Sequence, residues 1–207
     1  DPVARAAILA RMGNAIAHRG PNDEQIYDDG TLSLVFRRLS IIDLSGGQQP
    51  IPNARGNLLT VVNGEIYNHL ALRRSFDADH LFATHSDSEV PMHLYEREGI
   101  SALTKLDGMF ALLIWDREAR QLVLARDRMG IKPLYVVRLP DGLLFGSELK
   151  ALMMHPQCPR DLDWNALVQP TFLMRTPVPT YIRGVEHLPG GHYLMVDANA
   201  VCSEAYW

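Results

Sequence analysis

The dipeptide Asn63-Gly64 follows an apolar run at residues 58–62 and precedes the acidic Glu65. A side-chain amide and a neighbouring backbone N–H, held rigidly at the end of a strand, can stabilise the oxyanion of an acyl-transfer intermediate. The same dipeptide is also the strongest short-range signal for a β-hairpin, because a type I′ turn requires positive φ at both central residues. The local sequence leaves both interpretations open.

Two charged residues offer binding chemistry of opposite sign. Arg38 stands in an otherwise apolar stretch, where its guanidinium either reaches solvent or holds a carboxylate through two parallel hydrogen bonds. Asp87 stands at the start of a predicted helix, where it either helps to cap the helix or, as an ionised carboxylate, receives an ammonium group. For each residue the sequence leaves both alternatives open.

The histidines and cysteines form no pattern that binds metal or attacks a substrate. His80, His85 and His93 are spaced so that no two of them lie one helical turn apart, and we expect no metal site. Cys158 stands between prolines and Cys202 lies in a predicted terminal strand. We interpret both as buried or incidental thiols, because such thiols usually behave as small apolar side chains.

Composition limits the class of protein. The chain has 207 residues, of which 47% are hydrophobic and 21% charged, with a formal charge of −4. This suits one domain, or two small ones, with a sizeable core. The mild acidity argues against a nucleic-acid surface, and no apolar run approaches the roughly 18 to 20 residues of a membrane span. The N-terminal residues do not resemble a signal peptide, so we expect a cytoplasmic protein without nucleic-acid or membrane partners.

Short apolar runs predict the strands that must hold these residues. A first helix is indicated by Ile8, Leu9, Met12 and Ile16, which recur at near-helical spacing. From Thr31 the runs are rich in β-branched residues and are bounded by turn formers. They predict strands at residues 32–36, 38–42, 58–62, 109–115, 121–125, 134–137 and 143–145.

A second helix is predicted from about Ser86 to Glu98. Ser86 and Glu89 have the spacing of a capping box, and Gly99 can supply a left-handed C-terminal cap. Pro91 is tolerable only in the first turn, because inside a helix it removes a hydrogen bond. Short helices are also expected after residue 147 and near residue 163. Many strands with few helices between them predict an α+β fold, in which two sheets pack with helices outside.

Seven segments together resemble the glutaminase domain of asparagine synthetase, which is a class II glutamine amidotransferase. They are residues 18–21, 38–43, 63–68, 84–89, 107–111, 126–135 and 145–150. They occur in the family's order and cover nearly the whole chain, so chance agreement is negligible. The resemblance implies a four-layer αββα sandwich of the N-terminal nucleophile hydrolase type, with two mostly antiparallel sheets and helices outside.

The resemblance also implies a pocket for L-glutamine. Arg38 would grip the α-carboxylate of the substrate, and Asp87 would receive its α-ammonium group. Glu65 would help to hold the substrate, while the Asn63 side chain and the Gly64 N–H would form the oxyanion hole. The wall beside the α-carboxylate would be lined by the backbone of Leu39, Ser40, Ile41 and Ile42.

The family's nucleophile is an N-terminal cysteine whose own α-amino group acts as general base. Residues 1–30 contain no Cys, Ser or Thr, and neither Cys158 nor Cys202 can replace the nucleophile because each lacks a free amine. We therefore expect residues 1–207 to be a glutaminase domain that lacks its first strand and is inactive alone. The alternative is a degenerate, non-catalytic domain that binds an amino acid or supports a synthetase domain.

The resemblance extends to partners and cofactors. It implies that ammonia passes through a tunnel to a C-terminal synthetase domain, where ATP and Mg²⁺ activate aspartate for conversion to asparagine. The Ser-Gly-Gly-x-Asp-Ser signature of that domain is absent from this chain, and the glutaminase domain itself needs no cofactor. The sequence leaves the oligomeric state open, and the resemblance is compatible with a homodimer through glutaminase domains. A hydrolase of other amides is disfavoured, because Arg38 and Asp87 suit a free amino acid.

Overall fold

The structure is a computed structural model that describes residues 1–21, 23–38, 47–78, 80–168 and 180–207. Four residues predicted to line the pocket lie outside these ranges: Leu39, Ser40, Ile41 and Ile42. The chain divides into two compact units. The first unit comprises residues 1–39 and 133–189, and the second unit comprises residues 40–132 and 190–207.

The described residues form eleven strands and five α-helices. In chain order, the strands are β1 (Asp23–Asp28), β2 (Ser33–Arg38), β3 (Ile51–Pro52), β4 (Leu58–Ile66), β5 (Gly108–Asp116), β6 (Gln121–Arg126), β7 (Tyr135–Leu139), β8 (Gly142–Gly146), β9 (Val185–His187), β10 (His192–Val196) and β11 (Val201–Ala205). The α-helices are α1 (Pro2–Ala15), α2 (His69–Arg73), α3 (Val90–Glu98), α4 (Leu149–Leu152) and α5 (Trp164–Val168). Short 3-10 helices lie at Ala17–Arg19, Asp87–Glu89 and Gly99–Lys105.

The first unit combines two small antiparallel sheets with helices. β1 pairs with β2, and β7 lies between β8 and β9. The predicted N-terminal helix is confirmed as α1, which packs against β2 and α4. Met12 of α1 is buried in one cluster with Val137 of β7, Leu144 of β8 and Leu152 of α4.

The second unit is built on a six-stranded antiparallel sheet in the order β11-β10-β6-β5-β4-β3. α3 packs against β4, where Val62 and Ile66 are buried in one cluster with Leu94 of the helix. Successive residues of a strand point to opposite faces of its sheet. Asn63 and Glu65 therefore project from the face of β4 that is turned away from α3.

The second predicted helix forms in two parts. Ser86 caps the 3-10 helix Asp87–Glu89 by accepting a hydrogen bond of 3.2 Å from the N–H two residues farther on. Pro91 falls in the first turn of α3, where its missing N–H costs no hydrogen bond. Gly99 ends α3 with φ of +63° as predicted. The predicted capping box is wrong, because the Glu89 carboxylate binds a preceding loop rather than the N-cap.

The strand predictions hold for β4 to β8 and need correction near the N-terminus. β1 was not predicted, because its sequence has no apolar run, yet it pairs with β2 along its whole length. The described part of the predicted strands 32–36 and 38–42 is one strand, β2, which ends at Arg38. The prediction of an α+β fold with mostly antiparallel sheets is confirmed. Among the described residues, no helix is long and apolar enough to cross a membrane.

Candidate functional site

Asn63 and Gly64 lie inside β4, so the hairpin interpretation of this dipeptide is wrong. β4 pairs with β5 along its full length, and Gly64 stands opposite Phe110. Gly64 has φ of +150°, a conformation that favours glycine. A Cβ at this position would also overlap the carbonyl oxygen of Met109. The close approach of the two strands therefore requires glycine at position 64.

The side chain of Gln49 continues the edge of the sheet where β3 ends. β3 pairs with β4 only at Leu59 and Thr60. Beyond that point the buried Gln49 amide accepts a hydrogen bond of 2.6 Å from the Val62 N–H and donates one of 3.3 Å to the Val62 carbonyl. It also donates to the Ser88 hydroxyl at 3.3 Å. The Gln49 amide thus takes the position that a neighbouring strand would occupy.

Asp87 lies at the same edge of β4, farther along the strand. Its Oδ2 accepts a hydrogen bond of 2.7 Å from the Ile66 N–H, and the residue is only 4% exposed. The capping interpretation of Asp87 is wrong, because Ser86 performs that role. The Asp87 carboxylate is instead fixed to the strand that carries Asn63 and Gly64.

The backbone of Gly64 faces this edge as well. Hydrogen-bonding groups alternate between the two sides of a strand, and the N–H groups of Val62 and Ile66, two residues before and after Gly64, both point to this edge. Phe110, opposite Gly64, uses its N–H and carbonyl for Asp127 on the far side of β5, in agreement with this alternation. The Gly64 N–H is therefore directed to this edge of β4. Among the described residues, no strand pairs with this edge at Gly64.

A buried carboxylate, Glu89, holds the loop that precedes Asp87. It accepts hydrogen bonds from the N–H groups of Ala83 (2.6 Å) and Thr84 (2.8 Å) and from the Thr84 hydroxyl (2.7 Å). Burial by itself would raise the pKa of Glu89, but these hydrogen bonds and one from His93 outweigh it and lower the pKa to about 2. Glu89 is therefore an anion at neutral pH.

Arg73, at the C-terminal end of α2, binds the carbonyl groups of the same loop. Its Nη2 donates to the carbonyl oxygens of Thr84 (2.9 Å) and Ser86 (2.7 Å), and lies 3.6 Å from Oε2 of Glu89. The guanidinium carbon lies 4.2 Å from the ring centroid of Phe82. The loop is thus bound by a half-buried cation, Arg73, and a buried anion, Glu89.

His80 and His93 extend this network by hydrogen bonds. Nε2 of His80 lies 3.1 Å from Nδ1 of His93, and Nε2 of His93 lies 3.1 Å from Oε1 of Glu89. Burial, with a smaller contribution from the charge of His93, lowers the pKa of His80. Within the described ranges, no group of three potential ligands could hold a metal ion.

Arg38, the last residue of β2, belongs to the first unit. It is 8% exposed, which disfavours the interpretation in which its guanidinium reaches solvent. Asn63, Gly64, Glu65 and Asp87 all belong to the second unit, where the structure brings them together along β4. The role of Arg38 beside these four residues stays a prediction.

The two thiols have the properties of structural residues. Cys158 is 4% exposed, and burial raises the pKa of its thiol. Cys202 lies in β11 as predicted, and a hydrogen bond of 3.3 Å to Glu204 raises the pKa of its thiol. Since the thiolate is the nucleophilic form, neither environment activates its cysteine.

Two residues of this site are not indicated by sequence patterns: Gln49 and Arg73. Each is a long polar side chain that acts on the backbone of a distant segment, and such contacts leave no periodic signal. Glu89 was predicted only as part of a capping box, and its binding to the N–H groups of Ala83 and Thr84 was not predicted.

Comparison with known proteins identifies the family. The family described as "Glutamine amidotransferase domain" matches residues 2–207. Asparagine synthetase [glutamine-hydrolyzing] 2 of Bacillus subtilis (strain 168) is 41% identical over 208 residues, which cover 97% of this chain and 28% of the relative. Asparagine synthetase [glutamine-hydrolyzing] 1 of the same strain is 35% identical over 215 residues, which cover 100% of this chain and 34% of the relative. The chain thus spans about a third of the length of these relatives.

Solved structures support the same fold. The glutamine phosphoribosylpyrophosphate amidotransferase from B. subtilis, complexed with ADP and GMP, aligns with a TM-score of 0.68 at 18% identity, over 97% of this chain and 46% of that one. The allosteric regulatory enzyme of purine biosynthesis aligns with a TM-score of 0.56 at 23% identity, over 77% of this chain and 31% of that one. These likenesses support the α+β fold described above. The family match over residues 2–207 and the 41% identity to an asparagine synthetase over 97% of this chain establish that the chain belongs to the glutamine amidotransferase domain family.

Proposed function

We propose that this chain binds L-glutamine and directs hydrolysis of its side-chain amide to glutamate and ammonia. The observation that carries the proposal is that the Gly64 N–H and the Asp87 carboxylate meet the same edge of β4. Gly64 and Ile66, to which Asp87 is bound, are two residues apart, which is about 6.6 Å along a strand. In an extended glutamine molecule, the α-nitrogen and the amide carbon are four bonds and about 5 Å apart, a comparable length.

The residues of the site then act on different parts of the substrate. Asp87 binds the α-ammonium group, Arg38 binds the α-carboxylate and Glu65 supports the substrate. These contacts orient the distal amide so that its carbonyl oxygen meets the Gly64 N–H and the Asn63 side chain. Orientation of this kind lowers the entropy cost of reaching the transition state, and the two donors stabilise the oxyanion.

The nucleophile in this proposal is the family's N-terminal cysteine. Its thiolate attacks the amide carbon, the C–N bond breaks, and nitrogen leaves as ammonia after taking a proton from the α-ammonium of that cysteine. Water then hydrolyses the thioester and releases glutamate. The residues of β4 and Asp87 do not react; they bind the substrate and stabilise the charge that forms on oxygen.

The relatives support a proposal for the whole protein, since they are named as glutamine-hydrolysing asparagine synthetases. The ammonia would pass through an internal tunnel to a C-terminal domain that uses ATP and Mg²⁺ to convert aspartate to asparagine. The protein would act in the cytoplasm as a homodimer. The length and names of the relatives support the C-terminal domain, whereas the tunnel, the cofactors, the location and the homodimer are proposed from family resemblance alone.

The test uses the protein expressed from its complete gene. Glutamate release from glutamine is measured for the wild type and for Asp87→Ala, together with asparagine formation from aspartate and ATP. We expect hydrolysis by the wild type and a large loss in Asp87→Ala. Asp77→Ala, which changes an exposed carboxylate of the same unit, serves as the control and should retain activity.

Two results would contradict the proposal. Unchanged glutamine hydrolysis in Asp87→Ala would show that this carboxylate does not hold the substrate. Glutamine binding without turnover by the complete wild-type protein, with no N-terminal cysteine in its intact mass, would instead favour the degenerate, non-catalytic domain.

A further inference from the structure

Four polar backbone groups of the loop at residues 83–86 contact the side chains of Glu89, which is buried, and Arg73, which is half-buried. The N–H groups of the loop at Ala83 and Thr84 donate to Glu89, and its carbonyl groups at Thr84 and Ser86 accept from Arg73. Glu89 is 0% exposed. A buried ion pair contributes little net stability, because desolvation offsets the Coulombic attraction. The loop conformation that Glu89 and Arg73 fix is therefore a better explanation for the presence of these two charges than a gain in stability.

The loop fixed by this pair leads directly into Asp87. The Asp87 carboxylate has one acceptor oxygen committed to the Ile66 N–H at 2.7 Å, and the Ser86 hydroxyl lies 3.4 Å from the other. A small shift of the loop would rotate this carboxylate relative to β4. The distance between an ammonium-binding oxygen and the oxyanion donors would then change.

We infer that Glu89 is a positioning residue that, together with Arg73, sets Asp87 for the α-ammonium group of glutamine. This inference rests on the proposed function. Glu89 contacts the loop and the N-terminal part of the helix, so its effect on substrate passes through Asp87. Loss of its charge should weaken recognition of the α-ammonium group without altering the oxyanion donors.

The test compares two substrates in the protein expressed from its complete gene. Glutamine carries the α-ammonium group, and glutaramate is the analogue that lacks it. Glu89→Gln leaves one acceptor oxygen for the two N–H groups of the loop and removes the charge opposite Arg73. We expect KM for glutamine to rise by about tenfold, the effect of losing one charged contact, while kcat changes far less. The kcat/KM for glutaramate should stay near the wild-type value.

Glu118→Gln is the matched control, because it is the same substitution at an exposed residue outside this network and should leave both substrates unaffected. A purely structural role for Glu89 predicts equal losses for glutamine and glutaramate, and that outcome would overturn the inference. Thr84→Val, which removes the hydroxyl that donates to Glu89 and accepts from the Ser86 N–H, provides a milder variant if Glu89→Gln does not fold. It should show the same selective loss at smaller size.

The double variant Asp87→Ala/Glu89→Gln separates the two proposals. If Asp87 mediates the effect, the added Glu89→Gln substitution should not raise KM for glutamine beyond that of Asp87→Ala alone. Additive losses would overturn the inference while leaving the proposed function intact. A wild type that does not hydrolyse glutamine, or an Asp87→Ala variant without a defect, would overturn both.

Discussion

The Asp87 carboxylate and the Ile66 N–H are joined by a hydrogen bond of 2.7 Å that attaches the start of a helix to the end of β4. Four residues earlier in β4, the Gln49 amide binds both polar backbone groups of Val62. Asn63, Gly64 and the following residue are thus bounded by two side-chain contacts on one edge of the sheet. A strand segment held in this way keeps its N–H groups in place along an edge where no neighbouring strand binds them.

Removing the Asn63 amide should impair turnover more than binding. An oxyanion donor acts mainly in the transition state, so Asn63→Ala should lower kcat for glutamine by about 10²–10³ and leave KM nearly unchanged. Steady-state kinetics on the protein from the complete gene measures both constants. Asn199→Ala, in an exposed turn, is the control. A rise in KM with kcat intact would mean that Asn63 stabilises the bound substrate and the transition state equally.

Gly64 should tolerate no side chain. In Gly64→Ala the new Cβ meets the Met109 carbonyl oxygen, and φ of +150° is unfavourable for alanine. We expect a loss of several kcal/mol in the free energy of unfolding, as for other strained or overpacked backbone sites, and loss of hydrolysis. Thermal unfolding measures the first effect. Gly142→Ala, where a Cβ meets nothing within 4 Å, should unfold like the wild type, and equal Tm values for both variants would contradict this account.

The Asn63-Gly64 dipeptide shows where sequence patterns succeed and fail. Composition and apolar runs predicted an α+β fold and the strand before Asn63, because burial of apolar residues leaves a periodic trace. The same local rules favoured a hairpin at Asn63-Gly64, whereas pairing with β5 extends the strand to Ile66. Long-range pairing decides the outcome at such positions, and a single local window does not contain it.

The site was predictable in part. Motif resemblance identified Asn63, Gly64, Glu65 and Asp87, and the structure brings these residues together in one unit. Gln49 escaped prediction, because its side chain acts on a backbone segment that is 13 positions away. The β1 strand escaped for a related reason, since pairing with β2 rather than its own apolar content stabilises it.

Replacing the Gln49 amide should weaken the edge of β4. In Gln49→Met the Val62 N–H loses its acceptor in a buried setting, which typically costs about 1–3 kcal/mol. Urea unfolding measures this loss, and kcat should fall as well, since Val62 immediately precedes Asn63. Gln48→Met changes the exposed neighbour and should leave both quantities unaltered. Identical behaviour of the two variants would show that the Gln49 contacts are dispensable.

The low pKa of Glu89 predicts a stability loss in acid. Because the pKa is about 2 in the folded protein and 4.5 in its ordinary state, the folded state favours the anion. The stabilisation is fully present above pH 4.5 and is lost as the pH falls towards 2. The free energies of unfolding of the wild type and of Glu89→Gln should therefore converge as the pH falls from 4.5 towards 2. A difference that stays constant down to pH 2 would contradict the assignment.

The contacts of Arg73 and Glu89 have a consequence for protein engineering. Few groups are proposed to bind the substrate. Their placement depends on the side chains of Arg73 and Glu89, which bind only the loop at residues 83–86 and α3. Copying Asn63, Gly64 and Asp87 onto another scaffold would transfer the chemistry without the geometry. A graft that preserves selectivity for a free amino acid has to carry the whole stretch 73–89 along with β4.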